Sequence, residues 1–147
     1  MPFESYARKG LLKRQKPNLK QIEKQMAQSK KDLKTAAVVL TKDPDWAEAM
    51  VYQAMLRAGR AFVYANGYLP IDGAQHRTVV ELTARHLGQS HWLLTEKFEK
   101  MRRKRNLFFY ESGGISTETE ARGAMKTASL LIDVIKSQIQ RTQAHAT

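Results

Sequence analysis

Apolar residues recur at intervals of three and four along five stretches of the chain, and nothing alternates convincingly as a strand would. The first stretch follows Pro17. Asn18 is placed to cap a helix whose apolar face is Leu19, Ile22, Met26, Leu33, Ala36, Ala37 and Leu40. Asp43 before Pro44 predicts the start of a second helix, because proline in the first turn lacks only an N–H that would have no partner there. Within it Ala54, Ala58, Ala61 and Ala65 form a narrow strip of small side chains that a neighbouring helix can approach closely. Gly67 and Pro70 end it.

A third, shorter helix is predicted from Ala74 to Leu87, with Val79, Val80, Leu82 and Leu87 as its apolar content and Gly88 at its end. Ser90 is placed to cap a fourth, containing Leu94, Phe98 and Met101, which Gly113 and Gly114 interrupt. Ser116 or Thr117 caps the last. Thr117 and Glu120 have capping-box spacing, and Ala121, Ala124, Ala128, Leu131, Ile132, Ile135 and Ile139 face inward. Short connections place sequential helices side by side, so the predicted fold is all-α, an antiparallel bundle of about five helices. The expected organisation is a basic arm over 1–17, a bundle over 18–140 and a frayed tail over 141–147.

Composition narrows the class. A chain of 147 residues is the size of one domain, and 42% hydrophobic with 27% charged residues fits a globular protein. The net charge of +11 raises the expectation of a polyanionic partner such as nucleic acid. Residues 1 to 40 hold ten lysines and arginines against three acids, a solvated basic surface at the least. With no cysteine, disulfides, cysteine nucleophiles and thiolate metal sites are excluded. No signal-like or membrane-spanning apolar run is present, so no membrane partner is expected and a cytoplasmic location is the default. The arm itself has three open placements: a short helix around Tyr6 to Leu12, exchange between protomers, or trailing on RNA.

The densest chemistry lies in FEKMRRKRNLFFYESGG, residues 98–114. Leu94, Phe98, Met101, Arg105 and Phe108 share one helical face, which puts the Arg105 guanidinium in line with core residues. Such a charge needs an acid, a bundle end or a cleft. Asn106 and Tyr110 share another face if the helix continues that far, and Arg102, Arg103 and Lys104 surround the same turns. One reading is a basic helix end that offsets the helix dipole. The other is an anion site, with Arg105 clamping a phosphate, Asn106 orienting it and Tyr110 stacking on a base or donating its hydroxyl.

These residues, together with DPDWAEAMVYQAMLRAGRAFVYANGYLP, HRTVVELTARHLG and ISTETEARGAMKTASLLIDVI, resemble the HEPN domains (higher eukaryotes and prokaryotes nucleotide-binding) in order and spacing. The resemblance implies a helical bundle, commonly a homodimer, and in many members a metal-independent endoribonuclease. Its motif is an arginine, a polar residue, a few further positions and a histidine. On this chain the arginine is Arg105 and the polar residue Asn106, but Tyr110 occupies the histidine position. Tyrosine has a reference pKa of about 10, so ordinary general-base chemistry does not transfer directly. A related branch pairs HEPN proteins with a nucleotidyltransferase that modifies a tyrosine two places after the histidine; here that place is Ser112.

Glu81 and Glu111 are the acids expected beside the arginines, with Glu111 either answering Arg102 or Arg105 as an ion pair or orienting one of them. His76, His86 and His91 are candidates to lean into the same cleft from another helix, although structural or surface roles are the simpler reading. Their spacing makes no metal site, and neither metal nor cofactor is expected. Trp46, Tyr52, Phe62, Tyr64 and Tyr68 are expected in the core or a dimer interface. Three functional classes stay open: an RNA- or nucleotide-binding HEPN homodimer acting as an RNase or toxin-like protein, with catalytic Arg105, Asn106 and Tyr110 and binding residues Arg102, Arg103, Lys104 and Glu111; a non-catalytic nucleic-acid-binding, antitoxin- or nucleotidyltransferase-interacting module; and a scaffold whose charge keeps it soluble.

Overall fold

A computed structural model describes residues 2–71, 75–110 and 113–146, with the side chains of 108–110 and 146 outside that description. The described residues form helices α1 (Pro2–Arg8), α2 (Leu19–Val39), α3 (Pro44–Ala65), α4 (Gln75–Leu87), α5 (Trp92–Tyr110) and α6 (Glu118–Ala146), and strands β1 (Leu12–Arg14) and β2 (Tyr68–Pro70). The bundle is all-α apart from this two-stranded ribbon.

Helix α3 is the axis of the fold. It packs against α2 and α6 and against α4, α5 and β2. Its buried residues run almost without a break from Ala54 to Ala65, which is why its sequence is apolar on nearly every face. The small strip lies wholly inside, and Gly59 carries the closest approach: a Cβ there would stand 2.6 Å from Val79 Cγ1 of α4.

The caps form as their residue types dictate. Asn18 accepts the Gln21 N–H at 3.2 Å and Asp43 that of Trp46 at 3.1 Å. Thr117 and Glu120 close the capping box at 3.0 and 3.1 Å. At α5 the expectation is corrected: Gly88, with φ +70°, leads into one tight turn over Gln89–His91, and the helix begins at Trp92 with no side-chain cap from Ser90. On α2, Leu19 at the first position is 55% exposed, whereas Ile22 in the same turn is buried. The buried position between Ile22 and Ala36 belongs instead to Ser29, whose hydroxyl donates to the Ala54 carbonyl at 2.6 Å.

The ribbon corrects the absence of strands. Leu12, Lys13 and Arg14 pair antiparallel with Pro70, Leu69 and Tyr68. Three residues are too few for a two-residue period to register in sequence. The expected basic arm divides accordingly. Phe3, Tyr6 and Leu12 are buried, whereas Arg8, Lys9, Lys13, Arg14 and Lys16 face outward. Phe3 stacks on Tyr68 at 5.5 Å, and the Tyr6 hydroxyl donates to Glu81 at 2.7 Å. A short helix does form, over Pro2–Arg8 rather than Tyr6 to Leu12. At the other end α6 continues past Gln140 to Ala146. Among the described residues no helix is long and apolar enough to cross a membrane.

Candidate functional site

Helix α5 presents Phe98, fully buried, then Met101, then Arg105, half-buried, along the face that periodicity assigned. The helix continues to Tyr110, so Asn106 and Tyr110 are placed one turn apart on it, with Asn106 exposed. The Phe108 and Tyr110 side chains and Glu111 lie outside the described residues.

The surrounding cations are held by acids from two directions. Glu99 accepts from Arg102 at 3.0 and 2.6 Å and from Arg103 at 3.3 Å. Lys104 reaches across to Glu48 of α3 at 2.8 Å and to Glu120 of α6 at 3.7 Å. Glu81 instead pairs with Arg77 at 2.8 Å and with Tyr6, on the side where α1 docks.

The loop after α5 is fastened to the start of α3. Asp45 accepts the backbone N–H groups of Gly114 at 2.8 Å and Ser116 at 2.6 Å, and the Ser116 hydroxyl donates to Glu48 at 2.6 Å. Gly113 and Gly114, with φ of +114° and +74°, let the chain turn into these bonds. Between them lies a cavity of about 20 Å³ lined by Tyr52, Met101, Lys104 and Arg105. It has room for a single water-sized guest.

Tyr52 connects this cavity to α4. Its hydroxyl is 2.9 Å from His76 Nδ1, and the two rings stack at 5.8 Å. Burial pushes the Tyr52 phenol well above its ordinary range, although Arg105, Arg102 and Arg60 pull the other way. His76 is lowered to about 4, first by burial and then by Arg105, Arg60 and Arg102. At neutral pH the pair is therefore uncharged, beside three guanidinium groups. Of the three candidate histidines, His76 is the one that joins the Arg105 cluster. His86 packs edge-on against Phe62 at 4.8 Å and Phe3 at 5.7 Å, and His91 lies in the turn before α5. Among the described residues no group of three acids and histidines could hold a metal ion.

Tyr52 and Arg60 were not placed at a site from sequence, and His76 was one of three histidines that could lean into it. Arg60 left a signal: from Val51 to Ala65 the buried helix α3 carries only Gln53, Arg57 and Arg60 as polar residues. Arg57 is answered by Asp32 of α2 at 2.8 Å. Arg60 has no acid in ion-pair reach among the described residues, and its charge bears on His76. Of the five aromatics expected inside, Tyr52, Phe62, Tyr64 and Tyr68 are buried, while Trp46 is 44% exposed.

A family model of the HEPN domain matches residues 22–138, most of the chain. The chain belongs to the HEPN family. The match begins in α2 and ends in α6, so it contains the axial helix, the His76 helix and the arginine-rich end of α5, while α1 and β1 precede it. HEPN domains are generally associated with nucleotides and RNA, and the cationic end of α5 lies inside the matched region. No curated protein matches this chain.

Proposed function

We propose that this HEPN protein binds RNA or a nucleotide at the Arg105 end of α5, with the phosphate received by Arg105, Arg102 and Arg60 and oriented by Asn106. One observation carries the reading: three guanidinium groups from two helices act on one uncharged Tyr52–His76 pair. Guanidinium suits phosphate because its planar donors can engage two oxygens at once. The acids already present hold Arg102 and Lys104 in place but leave excess positive charge, and Arg103 remains 75% exposed for the flanking backbone. Tyr110 is assigned to stacking or hydrogen bonding, and Glu111 to orienting an arginine.

As an endoribonuclease of a toxin-like kind, the protein would act without metal. The 2′-hydroxyl would lose its proton and attack the adjacent phosphate, forming a 2′,3′-cyclic phosphate as the bond to the 5′-oxygen breaks and that oxygen takes up a proton, while Arg105 from each of two copies in a homodimer stabilised the developing charge. A proton acceptor is then required, and Tyr110 or His76 would supply it. His76 can serve only in the tautomer that donates Nδ1–H to Tyr52, which leaves the lone pair on Nε2; with the Tyr52 hydroxyl donating to Nδ1, Nε2 carries the proton and the role falls to Tyr110. The second reading is binding without cleavage, as a module engaging an antitoxin or nucleotidyltransferase. It is favoured by Tyr110 standing where the family motif has histidine.

Labelled single-stranded and structured RNA incubated with the protein in EDTA, beside Arg105→Ala and His76→Ala, tests both. Cleavage lost in the Arg105 variant establishes the nuclease. Binding that depends on Arg105, with no product at any protein concentration, establishes the recognition module. Binding unaffected by Arg105→Ala removes the site from either reading.

A further inference from the structure

The middle turns of α5 and the first turns of α6 leave space between them. Lys97, Lys100 and Lys104 follow at spacings of three and four along α5. They therefore line about 10 Å of one helix edge. Opposite them α6 presents Gly123, where a Cβ would meet nothing within 4 Å. The result is a groove of about 330 Å³, floored by Met101 and Ala124, with Glu48 and Glu120 at the Lys104 end.

Two details of this groove are left without a structural partner. Thr127, only 5% exposed, lines it, and its hydroxyl makes no hydrogen bond among the described residues. By contrast, Thr35, Thr83 and Thr142 return the hydroxyl to the carbonyl four residues back at 3.1, 2.8 and 3.0 Å. The Thr127 hydroxyl is not among the buried polar atoms without a partner, so it is open to the groove and can pair with a guest there. Lys97, too, has no acid in ion-pair reach among the described residues, unlike Lys100 on Glu96 and Lys104 on Glu48.

We propose that this groove is a subsite for one nucleotide unit, its base on the Met101–Ala124 floor and its phosphate on the lysine row. The volume falls in the range of small-molecule sites, which combine an apolar lining with a few convergent polar groups. A thioether against a planar ring is a favourable contact. The Thr127 hydroxyl and Glu120 carboxylate can pair with ribose hydroxyls or a base edge. The groove also adjoins the Arg105 cavity, since Glu48, Met101 and Lys104 line both. A strand gripped at Arg105 would lay its neighbouring nucleotide here, so the subsite rests on the RNA reading above. A free nucleotide presents the same chemistry.

Fluorescence anisotropy with a labelled single-stranded oligoribonucleotide, measured over a salt series and in competition with nucleoside monophosphates, decides it. Gly123→Leu fills the groove from a position with open space, and should weaken binding about tenfold while the melting temperature holds or rises. Thr127→Val should weaken binding in the same direction, and Lys97→Ala should lower the salt slope by about one. Competition that disappears in Gly123→Leu identifies free nucleotide as an occupant, whereas none in wild type identifies the strand alone. Should these three variants bind like wild type while Arg105→Ala does not, the subsite is wrong and the Arg105 reading stands. The converse pattern keeps the subsite and removes Arg105. No binding by wild type at low salt overturns both, and if Gly123→Leu misfolds the other two variants decide.

Discussion

At the scale of single residues, two histidines are held uncharged by where they sit. His76, lowered to about 4, and His86, lowered by burial, both take up a proton more readily in the unfolded chain. The histidine contribution to stability is therefore complete above about pH 6.5, the ordinary value for the group. It is lost as pH falls toward about 4. Melting temperatures measured from pH 8 to pH 4 should show this decline, and His76→Gln should flatten the larger part of it. Asp45 is the second sensitive residue, because it accepts two backbone N–H groups of the loop behind Arg105. Asp45→Ala should cost about 1–2 kcal/mol in urea unfolding, since the Gly114 and Ser116 amides lose their acceptor. Neither dependence was visible in sequence: Asp45 reads as a first-turn helix acid, and Tyr52 lies 24 residues from His76.

At the scale of elements, two glycines inside helices predict opposite outcomes. Gly59 faces α4, and an added methyl would overlap Val79 and press on Thr83, both fully buried. Gly59→Ala should destabilise by about 1–3 kcal/mol, the cost of overpacking a site that cannot relax. Gly123 faces open space. Gly123→Ala should stabilise by up to about 1 kcal/mol through helix propensity alone. Denaturant midpoints of the two variants against wild type check both signs. Periodicity located both helices but could not rank the glycines, because the difference lies in what stands opposite. The same holds for α5, whose stripe of Phe98, Met101 and Arg105 was legible from spacing, while the identity of its neighbours was not.

For the whole molecule, the N-terminal segment belongs to the folded body. Phe3 is 5% exposed, stacked on Tyr68 and tilted against Phe62. Phe3→Ala should cost about 3–5 kcal/mol, read from chemical denaturation, as for other buried aromatic truncations. The cations of this segment remain outside, presented at the surface rather than neutralised within. Sequence alone determined the all-α class, the main caps and their helix starts, the buried face of α6 and the family, because each rests on local spacing or on residue order along the chain. Tertiary structure decided what the chain could not state locally: the ribbon joining residues 12–14 to 68–70, the docking of α1, the contact of Tyr52 with His76, and the placing of Tyr52 and Arg105 on one cavity. Those are encounters between distant segments, and hydrophobic burial, which drives them, has no direction along the sequence.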